Sequence, residues 1–318
     1  MQPSVVLVLG AGASLSMGYP VGSALRTALM PSSMDRYVQA VVDSRNGIHR
    51  HDVEAFATTF RDSQMLSIDA FLARRPDMVD IGKRSIAAVL LMQEQAELLH
   101  SCNHEDKWYQ YFFNHIATED WASLDFSNFG VITFNYDRSL EHYLVNALSA
   151  SYNRPRELCE QKLASLKIIH VYGLLGPTSP TEAAYFPYGN SATPENIQIA
   201  AERLRVIPEG RDEDETLTAA RSLLTSADHL AFLGFGFDET NLRRLKSKET
   251  CAEMAVRHDG RRTRRVVATC VDMTVGEVHR ALRETRGSVP TGNPHDSGFM
   301  TYNCLGTLRA TQILRGDA

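Results

Sequence analysis

The sequence has 318 residues, of which 43% are hydrophobic and 22% charged, and its formal net charge is −5. This composition is typical of an ordinary globular protein and excludes fibrous and largely disordered classes. The negative charge argues against a protein whose main task is to coat nucleic acid, so no direct nucleic-acid binding is expected.

The cysteines are scattered and form no Cys-x-x-Cys pair, so the sequence predicts neither a zinc ribbon nor a disulfide framework. We therefore expect a cytoplasmic protein without a metal site. The apolar stretch near the N-terminus is too short for a signal peptide, and no run approaches the ~18 apolar residues of a membrane span, so no membrane association is expected. The cysteines are Cys102, Cys159, Cys251, Cys270 and Cys304.

The first predicted element is a strand of five apolar residues, Val5 to Leu9, which leads directly into Gly10-Ala11-Gly12-Ala13-Ser14. Such a run is typical of a buried parallel strand and a tight turn, followed here by a helix at about Val21 to Met30. Glycines in the turn let a diphosphate reach backbone N–H groups, although an ordinary strand-to-loop turn shows the same pattern. Leu15 stands in place of the third glycine of G-x-G-x-x-G, so the dehydrogenase fingerprint is not met.

Helical periodicity without a convincing strand continues from 31 to 124. We interpret this segment as a helical insertion within a single domain that spans 1–318, and its apolar stripes as core. The stripes contain Ile68, Phe71 and Leu72; Ile86, Val89, Leu90, Met92 and Ala96; and Trp108, Tyr111, Phe112, Ile116 and Trp121.

Polar residues follow the second predicted strand, Phe129 to Phe134, and precede a helix from Ser139 to about Ala150. Side chains at the carboxyl end of a parallel strand face the crevice in which open α/β sheets bind ligands, so Asn135 and Asp137 are candidate site residues. The alternative is that Asn135 supports a turn and Asp137 caps the helix.

A third strand is predicted from Lys167 to Tyr172, just before Gly173. Because side chains alternate along a strand, His170 and Tyr172 are expected to point to the same side. His170 is either a structural histidine or a catalytic one.

The segment from Thr178 to Gly210 is predicted to be a long loop with at most one helix, near Glu195 to Leu204, and it is a candidate lid. The basic run from Arg261 to Arg265 is interpreted as a solvated loop before a strand.

A second Gly-x-Gly follows a fourth strand, Asp228 to Leu233, in the run Gly234-Phe235-Gly236-Phe237-Asp238. Two such strand ends in one sheet can hold the two halves of a dinucleotide. Strands alternate with helices to the end of the chain, which predicts an α/β fold with a Rossmann-like, doubly wound parallel sheet. The remaining predicted elements are helices Glu213 to Ala227, Glu239 to Lys248, Val275 to Arg286 and Leu305 to Leu314, and strands Arg265 to Val271 and Phe299 to Cys304.

Four segments in this order resemble the sirtuin-like NAD-binding family, in particular its bacterial members that degrade NAD during phage defence. The resemblance spans about Val5 to Asp272 and implies an NAD glycohydrolase, with NAD as substrate and no other cofactor. The segments are Gly10 to Ser14 with Gly18 and Pro20, Thr133 to Asp137, His170 to Gly173, and Gly234 to Asp238 with Asn241.

The resemblance also implies roles for individual residues. The first loop would hold the diphosphate, the second Gly-x-Gly would lie against the adenosine half, and Asn135 with Asp137 would face the nicotinamide ribose. The implied ligand-binding residues are Gly10, Ala11, Gly12, Ala13, Ser14, Pro20, Thr133, Gly234, Phe235, Gly236, Asp238 and Asn241.

The sequence departs from this family at two points. It has no four-cysteine zinc module, which disfavours peptide deacylation. The family's catalytic histidine precedes the strand-end glycine, where this chain has Tyr172, and His170 lies about 6.5–7 Å upstream at the rise of a strand. Either His170 reaches the site, or Tyr172 replaces the histidine, or the site binds NAD without cutting it.

Cleavage of the bond between nicotinamide and ribose passes through an oxocarbenium-like transition state, and nicotinamide leaves as a neutral molecule. Asn135 is suited to orient the ribose, and a neutral histidine with a pKa near ~6.5 is a better base than a tyrosine near ~10. The main alternative function is a non-catalytic regulatory subunit that binds NAD or ADP-ribose. An uncontrolled hydrolase would deplete the cell's NAD, so we expect self-association or a separate sensor or activator protein.

Overall fold

One parallel sheet organises the chain. A computed structural model describes residues 3–101, 105–189, 192–206, 215–252, 264–286 and 298–315. Within these residues, six parallel strands lie in the order β3-β2-β1-β4-β5-β6, so the predicted Rossmann-like α/β fold is confirmed. The strands are β1 Val5–Leu9, β2 Phe129–Thr133, β3 Lys167–His170, β4 His229–Leu233, β5 Arg265–Thr269 and β6 Phe299–Met300.

Helices cover both faces of this sheet. The described residues between 31 and 124 form helices and short 3₁₀ turns and contain no strand, as their periodicity predicts. The α helices are α1 Gly22–Ala28, α2 Val38–Val41, α3 Arg50–Asp62, α4 Ile68–Leu72, α5 Val79–Leu91, α6 Ala96–Leu99, α7 Trp108–Ile116, α8 Ser139–Tyr152, α9 Arg156–Leu163, α10 Pro194–Arg203, α11 Glu215–Ser226, α12 Glu239–Leu245, α13 Ser247–Ala252, α14 Val275–Arg286 and α15 Cys304–Thr311. The 3₁₀ helices in the described part of the chain are Ala11–Met17, Met34–Arg36, Ser44–Asn46, Pro76–Met78 and Ile313–Arg315.

The sheet separates two hydrophobic cores. Alternate residues of β1 enter opposite cores: Val5, Leu7 and Leu9 lie in one, and Val6 and Val8 lie in the other. Helices α2 to α5, α7, α8, α10 and α15 contribute to the first core, whereas α11, α12 and α14 contribute to the second. A strand that is buried on both faces needs a continuous apolar sequence, which β1 has.

The carboxyl ends of the central strands lie in register. Leu9 pairs with Thr133 on one side and with Leu233 on the other. The loops that follow β1, β2 and β4 therefore start side by side at one edge of the sheet. The strand order reverses between β1 and β4, and such a switch point opens the crevice used for ligands in this fold class.

Several boundaries differ from the predicted ones for local reasons. β3 ends at His170 rather than at Tyr172, because the chain turns there and the Tyr172 carbonyl accepts a hydrogen bond from the Arg205 N–H (2.9 Å). The predicted helix from Glu239 to Lys248 is divided into α12 and α13 by Lys246, which has a left-handed φ of 51°. Helix α9 and the 3₁₀ helix Ala11–Met17 were not predicted from the sequence.

The basic run from Arg261 to Arg265 lies partly outside the described residues, but Arg264 is described and corrects the interpretation. Its side chain is half-buried and donates to backbone carbonyls, including those of Ala227 (2.9 Å) and Thr250 (2.6 Å). These carbonyls lie at the carboxyl ends of α11 and α13, where helices leave acceptors unsatisfied. Arg264 is therefore a structural residue, not part of a solvated loop.

None of the helices in the described part of the chain combines the length and the apolar character that are needed to cross a bilayer.

Candidate functional site

A cavity of about 250 Å³ opens at the switch point, between the loops that follow β1, β2 and β4. We call it the switch-point cleft. Ala11 and Phe235, which are far apart in the sequence, both line it. Its volume is slightly below the range of about 300–1,000 Å³ that is typical of small-molecule sites.

Most of the predicted site residues line this cleft, and a smaller group lies behind its wall. Those that line it are Gly10, Ala11, Ser14, Pro20, Asn135, Asp137, Tyr172, Phe235, Gly236, Asp238 and Asn241. Those that do not are Gly12, Ala13, Thr133, Gly234 and His170. The remaining lining residues, which the sequence analysis did not assign to the site, are Tyr19, Gly22, Leu25, Asp69, Leu90, Phe134 and Tyr136.

Three glycines allow the two Gly-x-Gly loops to touch each other. A Cβ on Gly10 would lie 2.6 Å from the Gly234 carbonyl oxygen, and one on Gly12 would lie 2.8 Å from the Gly234 Cα. Gly234 itself has a φ of +57°, and a Cβ there would meet the Ala13 nitrogen at 2.0 Å. Contact between the loops therefore explains these glycines, whether or not a diphosphate lies above them.

Gly236 differs from those three glycines. It lines the cleft, and a Cβ built on it meets no atom of the described residues within 4 Å, apart from its two chain neighbours. Its φ is also outside the left-handed region that favours glycine. The described part of the chain therefore gives no steric reason for glycine at this position, which is where a ligand can lie against the backbone.

A chain of hydrogen bonds connects the first loop to the end of β2. Asn135 Nδ2 donates to the Gly10 carbonyl (2.9 Å) and to Ser14 Oγ (3.0 Å), and Ser14 Oγ donates to Asp137 Oδ2 (2.7 Å). Thr133 Oγ1 accepts from the Asn135 N–H (3.0 Å), so Thr133 positions Asn135 from behind the wall. These bonds use the amide nitrogen of Asn135, and among the described residues none uses its amide oxygen.

Asp137 lines the cleft and also bonds the first residue of α8, although the N-cap residue of that helix is Arg138. Its Oδ1 accepts from the Ser139 N–H (3.2 Å) and from the Ser139 hydroxyl at the start of α8. Burial raises the pKa of Asp137, and hydrogen bonds from Ser139 and Ser14 oppose that shift because they favour the carboxylate. The carboxyl group is thus held rigidly and titrates above its ordinary range.

Helix α7 supports this network from the other side. Trp108 Nε1 donates to the Ala13 carbonyl (2.7 Å), and the Tyr109 and Ser139 hydroxyl groups form a hydrogen bond (2.7 Å). Trp108 is completely buried, as expected for a core residue. The helical segment before β2 therefore fixes both the first loop and the surroundings of Asp137.

Tyr172 faces the cleft and is tied to α12. Its hydroxyl donates to Asn241 Oδ1 (2.5 Å), and the Arg244 guanidinium lies over its ring, 5.2 Å from the centroid. Burial raises the pKa of Tyr172 to about 12, although Arg244 opposes the shift. At neutral pH its hydroxyl is therefore a hydrogen-bond donor and not a base.

The prediction that His170 and Tyr172 point to the same side is wrong. β3 ends at His170, so strand alternation no longer applies at Tyr172, and His170 lines a different cavity of about 560 Å³ beside α8 and α9. His170 Nε2 bonds Glu141 Oε1 (2.6 Å), while Nδ1 lies 3.4 Å from the Asn135 carbonyl oxygen.

The environment of His170 favours its charged form. Burial disfavours the imidazolium, but the negative charge of Glu141 and hydrogen bonds to Glu141 and Asn135 outweigh burial and raise the pKa of His170. An imidazole that is held in this way behind the cleft wall supports the Asn135 backbone.

The predicted lid does not line the cleft in its described parts, 178–189 and 192–206. It packs behind the wall, where the Tyr188 and Tyr19 hydroxyl groups form a hydrogen bond (3.0 Å). Arg138 fixes the same segment, because its guanidinium donates to the Phe186 carbonyl (2.9 Å). It also pairs with Glu94 (2.9 Å), and both charged side chains are buried. The predicted helix near Glu195 to Leu204 is confirmed as α10.

Within the described residues, no group of three or more His, Cys, Asp or Glu side chains is placed to hold a metal ion. The described cysteines, Cys159, Cys251, Cys270 and Cys304, are buried free thiols, and Cys102 lies outside the described residues.

The fold and the cleft together define a class of protein: a Rossmann-like α/β protein with a ligand-sized cleft at its switch point. Comparison with known proteins adds no family, because no family model and no curated protein matches the sequence.

Proposed function

We propose that this protein is an NAD glycohydrolase, which cleaves the bond between nicotinamide and ribose and leaves ADP-ribose. One observation carries the proposal: all four segments of the sirtuin-like resemblance contribute to the same cleft. Ala11, Asn135, Tyr172 and Gly236 are one lining residue from each segment. The four segments therefore lie at the edge of the sheet where open α/β folds bind their ligands.

The chemistry needs little from the protein beyond position and charge. When the bond to ribose breaks, its electron pair stays on the pyridinium nitrogen and nicotinamide leaves as a neutral molecule, so no general acid is required. The amide oxygen of Asn135 is suited to hold a ribose hydroxyl, and the Asp137 carboxylate is suited to stabilise positive charge on the ribose as the bond breaks.

Water activation is assigned to Asp137 in this proposal. Tyr172, with a pKa of about 12, is a poor base at neutral pH, and His170 lines the other cavity. The proposal therefore replaces His170 and Tyr172, the two residues that the sequence left open as the base, by the carboxyl group of Asp137, which lines the cleft.

Nicotinamide release from NAD tests this proposal. We expect the purified protein to release nicotinamide, and Asn135→Ala to lower the rate by about a hundredfold, the usual effect of removing one oriented polar group from a reaction centre. Asn146→Ala, which removes an amide in α8 outside the cleft, is the matched control. Melting curves establish that each variant is folded.

Equal rates for Asn135→Ala and the wild type would contradict the assignment. Absence of release under all conditions, including high protein concentration, would remove the enzyme activity from the proposal.

A second candidate is a regulatory subunit that binds NAD or ADP-ribose without cutting it. One observation favours it: no imidazole lines the cleft among the described residues. Calorimetry followed by chromatography of the ligand separates the two functions. A regulatory subunit returns NAD intact, whereas a hydrolase returns nicotinamide and ADP-ribose.

The resemblance to bacterial proteins that degrade NAD during phage defence suggests the cellular role, and we propose a bacterial cytoplasmic effector of anti-phage defence. A constantly active hydrolase would exhaust the cell's NAD, so its activity must be controlled. Its control would come from self-association or from a separate activator protein.

A further inference from the structure

The walls of the switch-point cleft have the chemistry of a cation site. Aromatic rings and carboxyl groups line it, and among the described residues no Lys, Arg or His does. Arg244 lies behind the ring of Tyr172 and does not line the cleft. The aromatic residues are Tyr19, Phe134, Tyr136, Tyr172 and Phe235, and the acidic ones are Asp69, Asp137 and Asp238.

Asp137 and Asp238 both bind backbone groups at the starts of helices. Asp137 accepts hydrogen bonds from Ser14 and Ser139, and Asp238 caps α12 by accepting from the N–H groups of Thr240 (2.9 Å) and Asn241 (3.2 Å). Both would lie in the cleft even if no ligand required them.

Asp69 is different because it comes from outside the nucleotide-binding segments. It lies in α4, whose N-terminus is capped by Ser67, so Asp69 is not the capping residue. The Tyr136 hydroxyl donates to Asp69 Oδ1 (3.4 Å), which places the carboxyl group beside the residue that follows Asn135.

We infer that the cleft selects a cationic heteroaromatic ring and that Asp69 determines this specificity. A pyridinium cation is attracted by the faces of aromatic rings and by a nearby carboxylate, which strengthens its binding. A neutral ring of the same size is attracted much less. If the inference is applied to the proposed NAD glycohydrolase, on which this assignment of the ligand rests, Asp69 distinguishes the pyridinium of NAD from the neutral dihydropyridine of NADH.

Calorimetric titration of the full chain with two pairs of ligands tests the inference. The pairs are N1-methylnicotinamide against nicotinamide, and NAD against NADH; each compares a cationic ring with a neutral one. We expect Asp69→Asn to weaken binding of the cationic member by about three- to fivefold and to leave the neutral member unchanged. Asp69→Glu, which keeps the charge, should retain most of the preference.

Asp77→Asn is the matched control, since Asp77 belongs to the same helical segment but pairs with Arg75 (2.6 Å) outside the cleft. The inference is overturned if the wild type binds neutral and cationic rings equally, if it binds neither, or if Asp69→Asn weakens both members to the same extent. Selective binding of N1-methylnicotinamide without binding of either dinucleotide would support the inference and reject NAD as the ligand.

Discussion

Burial changes the ionisation of Asp137, the residue to which we assign charge stabilisation in the proposed reaction. The carboxyl group is held by Ser14 and Ser139, and burial raises its pKa in spite of those hydrogen bonds. In the proposed mechanism only the ionised form stabilises the positive charge that develops on the ribose. Activity should therefore depend on the ionisation of this single buried group.

We expect the rate of nicotinamide release to fall as the pH falls through the pKa of Asp137, at a pH above the ordinary aspartate value near ~3.9. The sign follows from the raised pKa: protonation occurs earlier on acidification than for an exposed aspartate. A rate profile from acidic to alkaline pH measures this, with melting curves at each pH. The Asp137→Asn variant should release nicotinamide slowly, and its rate should no longer fall at acidic pH. If the rate of this variant still falls at acidic pH, another group is responsible for the titration.

Residues next to strand ends could be predicted from the sequence, and residues brought from elsewhere could not. Asn135 and Asp137 directly follow a buried strand, so their place in the cleft follows from the geometry of parallel sheets. Asp69 has no such local signal, because only the packing of α4 brings it to the cleft. The error at His170 came from extending strand alternation past the residue at which β3 ends.

At the scale of elements, apolar periodicity identified the strands of the sheet and most of the helices. It did not show where the helices end or which groups bond the backbone carbonyls at those ends. Lys246 ends α12 by adopting a left-handed backbone conformation. A lysine side chain gives no signal in the sequence for that conformation. Arg264 likewise appeared to belong to a solvated basic run, yet it satisfies carbonyl groups at the ends of two helices. The role of Arg264 depends on carbonyl groups that are remote in the sequence.

Arg264→Ala should lower the free energy of unfolding by about 2–3 kcal/mol, because several buried carbonyl groups lose a charged donor together. Arg264→Lys should restore only part of this loss, since an ammonium cannot reach both helix ends. Arg265→Ala, at the exposed start of β5, should change the stability by less than about 0.5 kcal/mol. Urea unfolding of the three variants measures these differences; similar losses at Arg264 and Arg265 would show that Arg264 has no special structural role.

At the scale of the whole molecule, the strand order places two Gly-x-Gly loops against each other at the switch point. The alternation of strands and helices predicted this sheet, and the two glycine loops predicted where it opens. What the sequence could not show is that Gly10, Gly12 and Gly234 are explained by contact between the loops, because that contact requires the register of β1 with β4. Gly236 is then the glycine in these loops that remains for a ligand to explain.

Calorimetric titration of NAD into Gly236→Ala tests the central claim, that a dinucleotide lies against the backbone of this cleft. Beyond its two chain neighbours, the added methyl group meets no atom within 4 Å in the part of the chain that the structure describes. Gly276→Ala, at a similarly open glycine in α14, is the matched control. We predict that the wild type and Gly276→Ala bind NAD equally, and that Gly236→Ala binds at least about tenfold more weakly, a difference of ~1.4 kcal/mol, with an unchanged melting temperature. Equal affinity for NAD in Gly236→Ala and the wild type, or no binding by the wild type, would contradict the claim.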